Sequence, residues 1–389
     1  MKIRRCSVLW LEPREVAHFD LDALLAGGTG VVSAMQWFAH APQLPAEVEI
    51  DAAEAQVLGS LSPTDWVDRK AIALENAELA KLLAEGLLVT DDAGFRAQRN
   101  TDDRFRAQRW HGLASVWHAA SRWSGLDAAS EVEEAGVHTA DGLRDAHGPP
   151  PPAFHARGDA EQRIPLVRSA RTGLDDLFDA RTTCRNFDTS RDLPQAQFAQ
   201  LLERVFGARG ELNAADDYDV LKKTSPSGGA LHPTEAYLIV QHVEGIAPGL
   251  YHYRAGDHAL QPLPAVDDIA RLAFLAVAGQ HWFANAHVLV VLAPRFGRTF
   301  WKYRNHPKAY RVTILDVGHL SQTLLLSATE LGLGAYITAA INEVDIERAF
   351  GLTGFIDGPL AVCGFGIRAE AMKTFELRSD RREDALPRP

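Results

Sequence analysis

Three short stretches of this 389-residue chain gather groups able to hold an anion or a flat ring. In "ARTTCRNF", residues 180–187, Arg181, Thr182, Thr183 and Arg185 fall within five positions. Two guanidiniums and two hydroxyls at that spacing suit a phosphate and an adjacent polar ring edge; the plainer alternative is a solvated loop. "TSPSGGALHP", residues 224–233, places Pro226 and Ser227 before Gly228 and Gly229. Glycine permits positive φ or a close approach of backbone to a ligand, and Gly, Pro and Ser are also the ordinary residues of a tight turn. "ELGLGAYI" brackets Leu333 with Gly332 and Gly334 at the end of a helical run, which exposes backbone at an element terminus. A fourth feature is the adjacent pair Lys302 and Tyr303. Tyrosine titrates near ~10 and lysine near ~10.4, so neither is a base at neutral pH unless its neighbours shift it.

Other chemistries lack their residues. No GxxxxGK[ST] phosphate loop occurs, and "GLGAYI" and "GFGIRA" miss the third glycine of a dinucleotide fingerprint. CxxC, HExxH and GxSxG are absent, and His281 and His287 stand six apart, off a shared helix face. No metal site is expected. The formal charge of −11 argues against affinity for nucleic acid or an anionic membrane. Three scattered cysteines make no disulfide framework, which predicts a reducing, cytoplasmic setting. The N-terminal apolar run is too short for a signal peptide.

The elements that must carry these groups follow from periodicity. From about residue 172, "EAYLIVQHV", "GLYHYR", "ALQPL", "AHVLVVLAPRF" and "PLAVCGFG" read as strands, with "AGDH" as a hairpin turn. Helices are expected at 193–207, 266–279 and 312–331, the last buried on most sides. Strands and helices do not strictly alternate, so the expected class is α+β, with a mixed sheet flanked by helices. Residues 1–95 form a separate module. In it "RRCSVLWL" and "GVVSAMQWF" are strand-like, "IDAAEAQVLGSL" is a helix capped by Asp51, and Leu79, Leu82, Leu83 and Leu87 follow helical spacing. Residues 96–171 connect the two, through a helix carrying Trp110 and Trp117 on one face and a stiff "HGPPPPAF" linker. The third segment runs from 172 to 389.

The order of "RTTCRNF", "PSGGALHPTEAYLIV", "GLYHY", "FWKYRNHPKAYR", "DVGHLSQTLLLSATELGLGAY" and "CGFG" resembles the nitroreductase-like flavoenzymes. Within them it is similar to the SagB-type dehydrogenases, which oxidise azoline rings during maturation of ribosomally made peptides. The resemblance implies a homodimer with FMN at each subunit interface. It assigns Arg181 and Thr183 to the flavin phosphate and ribityl chain and Arg185 to the pyrimidine edge, with Arg368 as a further phosphate ligand. Pro226, Ser227 and Gly228 would reach the flavin across the dimer, and Gly332, Leu333 and Gly334 would run past the ring system. Lys302 and Tyr303 match the family's catalytic pair. Thr182 and Thr183 replace a commoner Arg/His-Ser, and Cys184 sits at a variable position; a hydroxyl is kept at the serine place.

The first 95 residues lie outside the resemblance and look like a winged helix or a PqqD-like peptide-recognition module. Seven basic against fifteen acidic residues there count against DNA. A groove beside "AELAKLLAEGLL" and an edge strand would accept a leader peptide; a purely structural appendage is the alternative. The expected activity is FMN-dependent oxidation of a thiazoline or oxazoline in a modified precursor peptide, with oxygen reoxidising the flavin and a cyclodehydratase as partner. Two rivals stand beside it: a flavin-dependent reductase of a dehydroamino acid, nitro group or other conjugated acceptor, and a non-catalytic scaffold for the precursor peptide.

Overall fold

A computed structural model describes residues 1–155 and 157–377; residues 378–389, the end of the third expected segment, lie outside it. Two compact units result: Met1–Arg122 with Phe296–Val312, and Trp123–Arg295 with the described residues from Thr313 on.

The first unit opens with β1 (Lys2–Arg5), β2 (Trp10–Phe19), a short α1 (Leu21–Leu25), β3 (Val31–His40) and β4 (Val48–Ile50). It continues through α2 (Ala52–Ser60), β5 (Val67–Asp68), α3 (Asn76–Ala84), β6 (Leu88–Thr90), α4 (Arg96–Ala107) and α5 (Gly112–Ala120). The strands make two antiparallel sheets, β5-β1-β6 and β2-β3-β4. "RRCSVLWL" is not one strand: the Cys6 N–H makes the last bond of the β1–β6 register, to Leu87 O at 2.9 Å, and the Ser7 N–H turns away to Asp102. Asp51 caps α2 as expected, in a reciprocal box with Glu54.

The boundary expected at residue 95 falls inside this unit. Asp102 of α4 is buried and accepts from Arg4 Nη1 of β1 and from Ser7 N–H, both at 2.6 Å. Phe296–Val312 also joins it, because Phe296, Phe300 and Tyr310 surround Trp110 with ring centroids 4.6–5.4 Å away. The two tryptophans do not share a helix face as predicted. Arg109 has positive φ and α5 begins only at Gly112, so Trp110 turns into this aromatic cluster while Trp117 stays 57% exposed.

The second unit contains α6 (Ala128–Glu134), α7 (Ala140–His147), α8 (Gly173–Ala180), α9 (Gln195–Phe206), a hairpin of β7 (Gly210–Ala215) and β8 (Tyr218–Lys222), then β9 (Thr234–Val240), β10 (Gly249–Arg254) and β11 (Ala259–Pro262). Next come α10 (Ile269–Ala276), α11 (His281–Ala284) and β12 (Val288–Pro294). After α12 (Phe296–Lys302) of the first unit follow α13 (Ala309–Glu330), β13 (Gly334–Thr338), α14 (Glu343–Phe350) and β14 (Ala361–Gly366). One sheet, ordered β11-β10-β9-β12-β14-β13, forms its centre. Its named strands pair antiparallel throughout, so the mixed sheet expected is not found; among the described residues parallel pairing is limited to isolated bridges, Thr183 to Ala335 at the β13 edge and Leu193 to Val243.

Every residue of β12 is buried. Val288, Val290 and Leu292 enter one apolar cluster with α9 and α13, while Leu289, Val291 and Ala293 enter the other with α10 and α14. Successive strand side chains point to opposite faces, so covering both faces demands an unbroken apolar run. Helix α13 is less covered than predicted: Ile314 and Leu315 are 39% and 60% exposed.

Replacing Asp102 by Ala leaves the buried Arg4 guanidinium with only the exposed Asp103 carboxylate and the Ser7 N–H without its acceptor, a loss of about 1.5–3 kcal/mol in unfolding free energy. Urea unfolding followed by tryptophan fluorescence reads this directly. A change below about 1 kcal/mol, the size of an exposed pair, would refute the buried role.

Candidate functional site

The 181–187 loop starts where α8 stops. Arg181 is the C-cap of α8, its N–H held by Leu177 O at 3.1 Å. Its guanidinium is half-buried, and it and the Thr183 hydroxyl have no side-chain hydrogen bond among the described residues. Thr182 is buried and accepts from Nη1 and Nη2 of Arg368, each at 3.2 Å. Thr183 bridges Ala335, and the Cys184 N–H donates to Ala335 O at 2.9 Å. Burial pushes the Cys184 thiol up to about 12, which makes it an inert packing group. Arg185 donates from Nη1 to Phe375 O at 3.3 Å and lies 5.8 Å from the Phe283 ring centre.

Tertiary contact thus gathers Thr182, Thr183, Gly334 and Arg368 into one cluster. A Cβ on Gly334 would overlap Cys184 Sγ and Arg368 Cγ, so this glycine is required by packing. Gly332 has φ of 73° and ends α13: its N–H meets Thr329 O at 3.0 Å and the Leu333 N–H meets Ala328 O at 2.8 Å. Leu333 is buried in the core. Each member of this triplet therefore has an internal structural reason, and open space is found only on the Cβ side of Gly332.

The "PSGG" loop is pinned to α13. Ser227 Oγ donates to Asp316 Oδ2 at 2.5 Å and accepts from the His232 N–H at 2.9 Å. The Gly228 N–H donates to Asp316 Oδ1 at 3.2 Å, and the hydroxyls of Ser225 and Thr323 meet at 2.7 Å. Gly229 takes φ of 68°, so one of the two glycines is explained by the turn itself. Pro226 is exposed. Asp316 is 4% exposed, and burial raises its carboxyl more than the Ser227 and Gly228 bonds lower it. Asp316 opens the stretch "DVGHLSQTLLLSATELGLGAY" but is not among the candidate site residues of the sequence. Its signal is the polar stripe Asp316, His319, Thr323 at helical spacing in an apolar run.

Lys302 and Tyr303 belong to the first unit, whereas all the flavin-ligand candidates belong to the second. Lys302 is exposed in the last turn of α12, a favourable end for a cation, with Nζ 5.6 Å from the Tyr303 ring centre. Half-buried Tyr303 donates its N–H to Thr299 O at 3.0 Å. Elsewhere in that unit Glu12, His40 and Glu47 bring potential metal ligands within 4.8 Å of one another. Arg14 already joins both carboxylates at 2.7–2.9 Å and holds Glu12 down to about 2, so the group is a closed ion-pair network.

The donor set of the second unit fits a flavin mononucleotide phosphate. Arg181 and Thr183 supply uncommitted donors, and Arg368 stands one residue away on the hydroxyl of Thr182. A cavity of about 620 Å³ in this unit is lined by Asp127, Glu133, His138, Phe274, His281 and Trp282 among others, and by none of the flavin candidates.

The Asp316 geometry has a pH consequence. A carboxyl whose folded value is raised adds stability below its unfolded value near 3.8, and that contribution is lost as pH rises through the folded value. At neutral pH, Asp316→Asn should therefore match or exceed the wild type in thermal stability. Asp316→Ala should lose about 1–3 kcal/mol, since Ser227 and Gly228 are left unpaired. Equal losses in both variants would contradict the buried-charge account.

Residues 179–367 match the description Nitroreductase family. The chain is 32% identical over 149 residues to the trifolitoxin-processing protein TfxB of Rhizobium leguminosarum bv. trifolii, across 36% of this chain and 38% of that one. It is 26% identical over 157 residues to the microcin B17-processing protein McbC of Escherichia coli, across 39% and 57%. Both alignments span less than two thirds of the relative's length. Among solved structures, the E. coli microcin synthetase McbBCD complex with truncated pro-MccB17 bound aligns at 20% identity with a TM-score of 0.48, over 68% of this chain and 94% of that one. On the family match, the chain carries a nitroreductase family domain in residues 179–367.

Proposed function

We propose that this protein is an FMN-dependent dehydrogenase of ribosomal peptide maturation that oxidises thiazoline or oxazoline rings to azoles. The observation that carries the flavin reading is the pair of uncommitted donors, Arg181 and Thr183, beside Arg368 in a nitroreductase family domain. The peptide reading is supported by two curated relatives named as toxin- and microcin-processing proteins. Arg181, Thr183 and Arg368 hold the phosphate, and Arg185 holds the pyrimidine edge. Bound there, FMN supplies an acceptor for the hydride equivalent that leaves the ring, and oxygen restores it. Lys302 and Tyr303 take the ring Cα proton, so one proton and one hydride equivalent leave together. The same reading carries a homodimer, in which residues 226–228 and the segment 332–334 face the ring system. The ring must first be closed with loss of water, so a cyclodehydratase is the expected partner.

Mass spectrometry of a cyclised precursor peptide after incubation tests the direction. Loss of two hydrogens per ring supports oxidation, while a gain of two would favour the reductase reading. Lys302→Ala and Tyr303→Phe should retain flavin and slow turnover by ~10²–10⁴-fold. Normal turnover in both variants would place the proton acceptor elsewhere.

The first unit is proposed as the PqqD-like, leader-binding part. β3 pairs with β2 along its whole length but with β4 only at 37–39, which leaves residues 31–36 with one strand partner among the described residues. An extended peptide adds to such an edge through main-chain hydrogen bonds. Helices α1 and α2 both pack on β3, while α3 packs on β6, so α3 does not border this edge. Fluorescence anisotropy of a labelled leader against the full chain should show saturable binding, weakened by Ser33→Pro in the open edge. No binding at any attainable concentration would rule the clamp out.

A further inference from the structure

Glu376 lies far from every motif, yet its side chain is 1% exposed, between the exposed Phe375 and Leu377. Its Oε1 accepts from the Arg185 N–H at 2.7 Å, the Asn186 N–H at 3.1 Å and Asn186 Nδ2 at 2.9 Å. Its Oε2 accepts from Arg368 Nη2 in an ion pair. The segment bearing it is tied down by Asn186, whose Oδ1 accepts the N–H groups of Lys373 and Thr374 at 2.8 Å each and whose Nδ2 donates to Thr374 O at 2.7 Å. One carboxylate thereby joins the loop carrying Arg181, Thr183 and Arg185 to the arginine that follows β14.

We propose that Glu376 is a positioning residue for the flavin phosphate: it fixes the Arg368 guanidinium on Thr182 and holds the 185–186 backbone in register with it. This rests on the flavin reading above. Two alternatives predict different outcomes. If Glu376 competed with phosphate for Arg368, removing its charge would tighten binding. If it only tethered the C-terminal segment, its loss would act independently of Arg368. The geometry favours positioning, because the carboxylate commits both oxygens and would leave three N–H donors and a cation unpaired on departure. Burial alone would raise the Glu376 carboxyl, but the Arg185 and Asn186 bonds and the Arg368 charge outweigh it and hold the group ionised. Preorganising an arginine in this way lowers the cost of ordering it when the ligand binds.

Glu376→Gln is selective, because an amide oxygen still serves the three N–H donors while its NH₂ faces Arg368. The test is a double-mutant cycle on FMN affinity, read by quenching of flavin fluorescence in the full chain, with thermal unfolding of each apoprotein measured alongside. Glu376→Gln should weaken FMN binding by about tenfold with little change in unfolding temperature. In the Arg368→Ala background the same change should have no effect, since the residue it acts through is gone. Unchanged or tighter binding in Glu376→Gln, or losses that multiply in the double variant, overturn the proposal. Should Glu376→Gln not fold, Glu376→Asp, one methylene short of Arg368, carries the same cycle. Wild-type protein that binds no FMN overturns both this inference and the flavin reading. FMN binding that Arg181→Ala abolishes and Glu376→Gln leaves intact overturns this inference alone.

Discussion

The close approach of Cys184 to Gly334 is the contact on which the candidate flavin cradle depends. Cys184 Sγ and the Arg368 stem occupy the space a side chain at 334 would need, and the Cys184 N–H completes the bridge to Ala335. That contact docks a loop outside the sheet onto the β13 edge and brings residues nearly two hundred positions apart within hydrogen-bonding distance. The Arg368 contacts to Thr182 and Glu376 follow from it. So does the placement of Arg181, which is fixed from one side by the end of α8 and from the other by the bridge at Thr183.

A buried carboxylate serves each of the two loops, and the two are solved differently. Glu376 meets a cation and three N–H donors, so its charge is compensated. Asp316 meets only a hydroxyl and one N–H among its hydrogen bonds, so part of its desolvation cost stands against the fold. It is consistent with a loop held for position at some expense in stability, since Ala230 and His232 also take left-handed backbone there. In the first unit Asp102 repeats the compensated arrangement, with Arg4 and Ser7, and it is what makes α4 part of the N-terminal core.

Much of this was legible in the chain itself. The apolar run of β12 announces a strand covered on both faces, the Asp51-x-x-Glu54 spacing announces a cap, and the order of glycine- and arginine-bearing motifs marks the nitroreductase family domain. Those signals are local: each follows from the period of one element or from groups a few residues apart, where chain connectivity fixes who meets whom. Tertiary structure alone decided that Trp110 leaves its expected helix for an aromatic cluster with Phe296 and Phe300, that 296–312 packs with the N-terminal unit, and that Glu376 and Asp316 find the loops at 185–186 and 227–228. Their partners lie tens to hundreds of residues away, and a lone Asp or Glu in a sequence carries no mark of burial. Only the closing of the sheet and the packing of α13 remove these groups from water and make their pairing obligatory.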